Sequence, residues 1–380
     1  MNLRWDPYFL RGDSEFHAFW RQYLGCQQRD ILYVLGQGFD PRMCVGLKAL
    51  LDVGGQGRRD CLLIEFIEGP GSPSARYSSR VAENRCVLEE LLQRRGELRP
   101  TPLRMWSNEE VGRHRVSSLS ATEIFSDASA FDQYTDIVID INALPRSVYL
   151  SLIAKTMLIL DNRRNTHPEK PALNLHVVVC ESAVLDQNIR SIEVDDTAHY
   201  LRSCVNGMEL ESAEDITNIW IPVLGEGKKD HLERIHDLVK PEETYPVLPL
   251  PSFNPRRGDE LLVEYRRSFD TWHVEPRSII YAAENNPFQV YRQIRGAVLR
   301  SNRSLKPLGG CKAAVSTLSS KLLSVGALLA VYDLMQYDLP IGLAHIEAQG
   351  YEINAEVTDL SVDEGELYTM WITGECYEQC

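Results

Sequence analysis

What this chain lacks narrows it first. No apolar run approaches the ~18 residues of a membrane-spanning helix, so no span and no membrane partner are predicted. No C-x-x-C occurs among the nine cysteines, which stand at 26, 44, 61, 86, 180, 204, 311, 376 and 380. They are scattered, and the charged start Arg4-Trp5-Asp6 does not read as a signal peptide. That pattern predicts reduced thiols in a cytoplasmic protein. Basic charge is also short. Lys+Arg 40 against Asp+Glu 54 leaves a net charge of −14, which argues against direct nucleic-acid binding.

Several catalytic signatures are missing too. There is no G-x-x-x-x-G-K-[ST], no G-x-S-x-G and no H-E-x-x-H, which disfavours Walker-type NTPases, α/β-hydrolases and zincins. Gly36-Gln37-Gly38 begins a dinucleotide fingerprint, but Pro41 stands where the third glycine belongs. No metal site is predicted: the histidines are dispersed, and Cys376 and Cys380 read as part of a loose tail. No motif identifies a cofactor.

What is present is an alternation. Hydrophobic residues make up 44% of the chain and charged residues 25%, so a packed core is expected. Strands are expected at 31–35, 61–67, 102–106, 136–141, 174–180, 218–224, 245–250, 278–283, 312–316 and 341–346. Helices are expected at 41–52, 81–96, 146–160, 228–239, 255–269, 287–300 and 319–334. Continuous apolar runs such as Ile137-Val138-Ile139 suit parallel strands covered on both faces. The fold class expected is α/β, Rossmann-like, with mostly parallel sheets and flanking helices. One long sheet is possible on this pattern; two lobes, 31–210 and 211–380, are favoured because Phe39-Asp40-Pro41-Arg42 echoes Phe253-Asn254-Pro255-Arg256. Residues 1–30 carry Phe16, Phe19, Trp20 and Tyr23 on one helical face and are expected to form an N-terminal lid. The acidic stretch 184–217 reads as a connector between the lobes, and 68–80 as a loop without an apolar anchor, either plain surface or the cover of a site.

Three strands run into loops that end Asp40-Pro41, Asn254-Pro255 and Asn286-Pro287, good helix starts. Helix N-termini gathered at strand ends attract anions. The candidate ligand contacts are therefore Gly36, Gly38, Asp40, Arg42, Arg256, Arg257 and Asn286. Arg146 either joins them or salt-bridges Asp140. In the segment 316–321, Ser319, Ser320 and Lys321 either cradle an anion or cap a core helix beside a solvated lysine. Glu284 and His345, the latter near Glu347, are the candidate general bases.

The segment Ser316-Thr317-Leu318-Ser319-Ser320-Lys321-Leu322-Leu323-Ser324-Val325-Gly326-Ala327 resembles the ligand loop of CRISPR-associated Rossmann-fold (CARF) sensor domains. Those domains bind cyclic oligoadenylates in prokaryotic antiviral systems. The resemblance implies a sensor or assembly subunit with a nucleotide-like ligand and further protein subunits as partners. The chain departs from the family's Thr-Gly-Gly-Thr-Lys form, since Gly309-Gly310 precede the strand, and it shows no appended nuclease motif. The rival expectations are a transferase or hydrolase of a phosphorylated or nucleoside substrate, and a non-catalytic protein–protein scaffold.

Overall fold

The computed structural model describes residues 3–68, 72–93, 95–107, 115–208, 216–337, 339–354 and 365–378. The chain forms two compact units. The first comprises Pro7–Glu193 and Ala348–Cys380, the second Met1–Asp6 and Val194–Glu347. The division therefore falls near Val194 and not at 210/211. The residues from Ala348 onward join the first unit, and residues 1–30 form no separate lid.

In the first unit β1 (Phe9–Gly12) and α1 (Ser14–Cys26) precede β2 (Ile31–Gly36), α2 (Val45–Asp52), β3 (Arg59–Ile67), α3 (Ser78–Leu92) and β4 (Leu98–Arg104). Then come α4 (Ser117–Glu123), β5 (Asp136–Asp140), α5 (Arg146–Thr166), β6 (Asn174–Glu181), α6 (Ala183–Asn188) and β7 (Ile189–Val194). The second unit holds β8 (His199–Asn206), β9 (Thr217–Val223), α7 (Lys229–Val239), β10 (Glu243–Thr244), β11 (Val247–Pro249), α8 (Arg257–Glu264) and α9 (Arg266–Thr271). It continues with β12 (Ile280–Ala282), α10 (Pro287–Ser304), β13 (Cys311–Thr317), α11 (Lys321–Leu334) and β14 (Ile341–His345). β15 (Ala348–Ile353) and β16 (Glu366–Thr373) return to the first unit.

The two main sheets share one design. Neighbours run β4-β3-β2-β5-β6 in the first and β12-β11-β9-β13-β14 in the second, all parallel. Numbered along the chain within each unit, both read 3-2-1-4-5, the doubly wound order. Each has an antiparallel neighbour beyond its fifth strand, β16 on β6 and β8 on β14. The strands expected from the sequence are these parallel ones. The continuous apolar runs among them are buried on both faces: Ile137, Val138 and Ile139 have no exposed surface. The expected connector 184–217 instead contains α6, β7 and β8, and its residues 209–215 lie outside the described residues.

The aromatic face of α1 is core. Phe16 and Trp20 are fully buried and pack with Tyr33, Leu47, Val138 and Trp371. The C-terminal segment is likewise anchored and no loose tail: β16 pairs along β6, and Arg29 holds Glu375 through two 2.8 Å bonds. Cys376 is half-buried, and Cys380 lies outside the described residues. Within 68–80, Ser72 caps a 3-10 turn, Tyr77 packs on Phe39 at 4.5 Å, and the Tyr77 hydroxyl accepts from Ile353 N–H, so Tyr77 anchors the segment; residues 69–71 lie outside the described residues. In the second unit, α11 is mostly apolar because it is buried all round, from Leu322 to Leu334, and its buried Asp333 is paired with Arg295.

Three buried or half-buried histidines make the fold sensitive to acid. His176 sits among Trp20, Tyr23 and Trp371, with Nε2 3.4 Å from the Asp136 carboxylate. Burial lowers its pKa, and Asp136 offsets this only in part. Burial lowers His199 and His236 as well. The unfolded chain then takes up protons first, so stability is fully present above the ordinary value of about 6.5 and is lost as pH falls through the lowered folded values. Urea unfolding midpoints of the wild type should decrease steadily from pH 7.5 to 5.5. A His176→Phe variant should show a shallower decrease over the same range; an unchanged slope refutes the assignment.

Candidate functional site

In a doubly wound sheet, the crevice at the carboxyl ends of the first and fourth strands is where the two halves part. Here those pairs are β2/β5 and β9/β13. β2 runs into Leu35-Gly36-Gln37-Gly38 and β9 into Leu224-Gly225-Glu226-Gly227, a Leu-Gly-x-Gly after the first strand of each unit. This repeat was readable from the sequence. The echo of Phe39-Asp40-Pro41-Arg42 with Phe253-Asn254-Pro255-Arg256 instead joins a first-strand loop to a second-strand loop, which are not equivalent places.

The first glycine of each repeat meets the loop after the fourth strand. A Cβ on Gly36 would lie 2.7 Å from Leu144 Cδ2 and 2.8 Å from Ala143 O. One on Gly225 would lie 2.4 Å from Leu318 O and 2.8 Å from Ser319 Cα. No side chain fits either gap.

In the first unit the candidate contacts are engaged within the protein. Arg42 is 3% exposed. It donates from Nε and Nη2 to Asp40 at 3.0 and 2.8 Å, and from Nη1 to Asp186 at 2.8 Å. Burial would lower its pKa, but the two carboxylates outweigh that and hold the guanidinium charged. Asp40 also accepts from the Arg42 N–H and caps a short 3-10 turn, so the helix expected from 41 becomes regular only at Val45. Gly38 O is taken by Asn84, and Asn142 accepts from Cys180 N–H. Asp140 is fully buried and accepts from the Tyr33 hydroxyl at 2.6 Å. Arg146 is the half-buried first residue of α5. Arg42 is thus a structural ion-pair residue; it belongs to the first unit, and Arg256 and Lys321 belong to the second.

The second unit gathers the rest. Arg256, Arg257, Glu284, Asn286, Ser319, Ser320 and Lys321 all follow carboxyl ends of its parallel strands. Arg257 spans the rim, binding Glu226 through two bonds and Glu284 at 2.9 Å, so it is not an open anion contact. Glu284 also accepts from Phe253 N–H, which leaves it poorly placed as a general base. Asn286 accepts from Gln289 N–H and caps α10 with Pro287 in the first turn. Ser320 does the same for α11 through Leu323 N–H, and Lys321 opens that helix. Arg256 is exposed, and among the described residues it makes no ion pair. His345 ends β14 at 7% exposure, with Nε2 3.7 Å from Glu347, itself 4% exposed.

The sequence reading missed the loop after β9. The Gly227 N–H donates to the exposed Glu264 carboxylate at 2.8 Å. Lys228 N–H donates to the Tyr265 hydroxyl, which donates to Gly225 O. The backbone of this glycine loop thus already holds one carboxylate.

No protein-family model matches the chain, and no curated protein matches it. Among solved structures it is similar to a universal stress protein from Archaeoglobus fulgidus DSM 4304, at 10% identity, covering 82% of this chain and 95% of that one, with a TM-score of 0.23. It is also similar to the functionally unknown protein PA1789 from Pseudomonas aeruginosa PAO1, at 12% identity, covering 82% and 91%, with a TM-score of 0.19. At these scores the likeness carries no functional argument.

Removing Arg42 leaves a buried carboxylate uncompensated. Arg42→Ala should cost on the order of 3 kcal/mol in urea unfolding, whereas Arg256→Ala should cost less than about 0.5 kcal/mol. Equal costs would contradict the assignment of Arg42 to structure and Arg256 to surface.

Proposed function

We propose that the second unit binds a phosphorylated, nucleotide-class ligand across the β9/β13 crevice and works as a sensing or regulatory subunit. The observation that carries this is the approach of Gly225 to Leu318 and Ser319. It sets a glycine loop beside the hydroxyl-and-lysine start of a buried helix. Glycine loops and helix N-termini are the backbone devices that receive phosphate. Lys321 and the exposed Arg256 supply charge for the phosphoryl oxygens. The segment that resembles the CARF ligand loop is the one at this crevice, which supports a sensor of prokaryotic antiviral systems. A transferase or hydrolase is less well supported. Glu284 is committed to Arg257, and His345 is buried beside Glu347.

Thermal unfolding against a panel of nucleotides, cyclic oligoadenylates and sugar phosphates tests the reading. A ligand at ~100 times its Kd should stabilise the wild type by roughly 2.7 kcal/mol. Lys321→Ala should weaken that ligand at least tenfold and Arg256→Ala less. A shift accompanied by turnover would move the conclusion to an enzyme. No shift with any member would leave the scaffold reading.

A further inference from the structure

At the opposite end of the second unit's strands lies a cavity of about 580 Å³. It is separate from the β9/β13 crevice and shares no lining residue with the proposed nucleotide site. One wall is the carboxyl-terminal half of α10, where Gln293, Ala297, Arg300 and Ser304 recur at helical spacing on one face. The facing wall is Ile279, Ile280 and Tyr281, the start of β12.

β12 is the last strand of its sheet, pairing only with β11 among the described residues. Ile280 N–H donates to Pro246 O, and Ala282 O accepts from Leu250 N–H, both at 2.8 Å. In a parallel ladder the residues between such partners turn their backbone groups the other way. Tyr281 therefore offers its N–H and C=O outward along the groove, on the side where no strand pairs with β12 among the described residues, and the residue is 45% exposed. An open strand edge is a template for another extended chain.

Charge selects which chain. Arg277 and Arg300 line the groove. Arg300 is exposed and makes no ion pair among the described residues, while Arg277 meets only the exposed Glu275 on its own turn. The one acid in the groove, Glu243, is engaged by the Tyr245 hydroxyl. From Gln293 to Ser304 the helix rises ~16 Å, the length of about five extended residues. A bare anion would use the guanidinium groups but leave the strand edge and most of the volume unfilled. A second sheet edge-on would find only a three-residue strand.

We propose that this groove receives a short, extended, acidic peptide segment of a partner protein. The segment adds beside β12 through the Tyr281 backbone and places its carboxylates on Arg300 and Arg277.

Selection of a displayed octapeptide library on the full-length protein, with counter-selection on Arg300→Glu, tests this. Sequences with two or more acids separated by β-formers should be enriched. One such synthetic peptide, followed by fluorescence anisotropy, should bind the wild type at least tenfold more tightly than Arg300→Glu. Tyr281→Pro, which removes the outward N–H together with the tyrosine ring at an edge position where proline is tolerated, should weaken it similarly, and Tyr281→Ala, which keeps the N–H, should weaken it less. Lys321→Ala should leave it unchanged. Arg300 is a surface residue, so its variant should keep the wild-type melting temperature and remain interpretable if the proline variant does not fold. No enrichment over the counter-selection overturns the proposal. So does equal binding by the wild type and Arg300→Glu, or displacement of the peptide by an equal concentration of inorganic phosphate, which would mark a simple anion site.

Discussion

The close crossing of two loops at the carboxyl ends of neighbouring strands constrains both halves of this protein. After the first strand of each unit the chain must turn out over the sheet, and the loop after the fourth strand occupies the space where a side chain would go. Glycine at 36 and at 225 is the answer in both places. At both the obstacle includes backbone, the carbonyl of Ala143 at Gly36 and that of Leu318 at Gly225, which cannot rotate away as a leucine side chain can. The parallel pairing of β9 with β13, over all seven residues of β13, depends on that contact being tolerated.

The two units line the resulting crevice differently. In the first, polar side chains close on one another: Arg42 with Asp40 and Asp186, Asn142 with the Cys180 amide. A buried guanidinium flanked by two carboxylates is fixed by mutual neutralisation, and little charge is left to recruit a guest. In the second, the fourth strand ends in Ser316 and Thr317, Ser319 and Ser320 follow ahead of Lys321, and the glycine loop carries its carboxylate on an exposed side chain, Glu264. An exposed carboxylate on an amide is a weakly held occupant compared with a buried ion pair. One architecture thus carries a buried ion-pair cluster in one unit and, in the other, a rim spanned by Arg257 between Glu226 and Glu284.

How much of this was legible depended on the kind of burial. Parallel strands covered on both faces announce themselves as unbroken apolar runs, and each one was found, β5 and β6 most plainly. The antiparallel strands β1, β7, β8, β15 and β16 were missed. Glu366–Thr373 mixes polar and apolar residues without a regular period, and β7 and β8 fall in an acidic stretch that reads as linker. For the site, cap chemistry pointed to Asn286 and to the pair Ser319 and Ser320, of which Ser320 is the cap, because capping is local. Whether an arginine faces solvent or a carboxylate is not local. Arg42 and Arg256 follow the same Asx-Pro pair, yet Arg42 meets Asp186, far along the chain, and Arg256 does not meet any such partner among the described residues.

The first unit is assembled from stretches on either side of the second, and this bears on how the protein is made. β6 gains its antiparallel neighbour only when β16 exists, and β16 leaves the ribosome after the whole of the second unit. Until then the nascent first unit exposes a bare hydrogen-bonding edge along Asn174–Glu181, flanked by Trp20 and His176 without their cover from Trp371. The second unit, contiguous but for a few N-terminal residues, has all its strands before that point. Synthesis therefore completes the inner unit before the outer one, and a product truncated ahead of β16 would carry an intact rim beside a half-finished, aggregation-prone sheet.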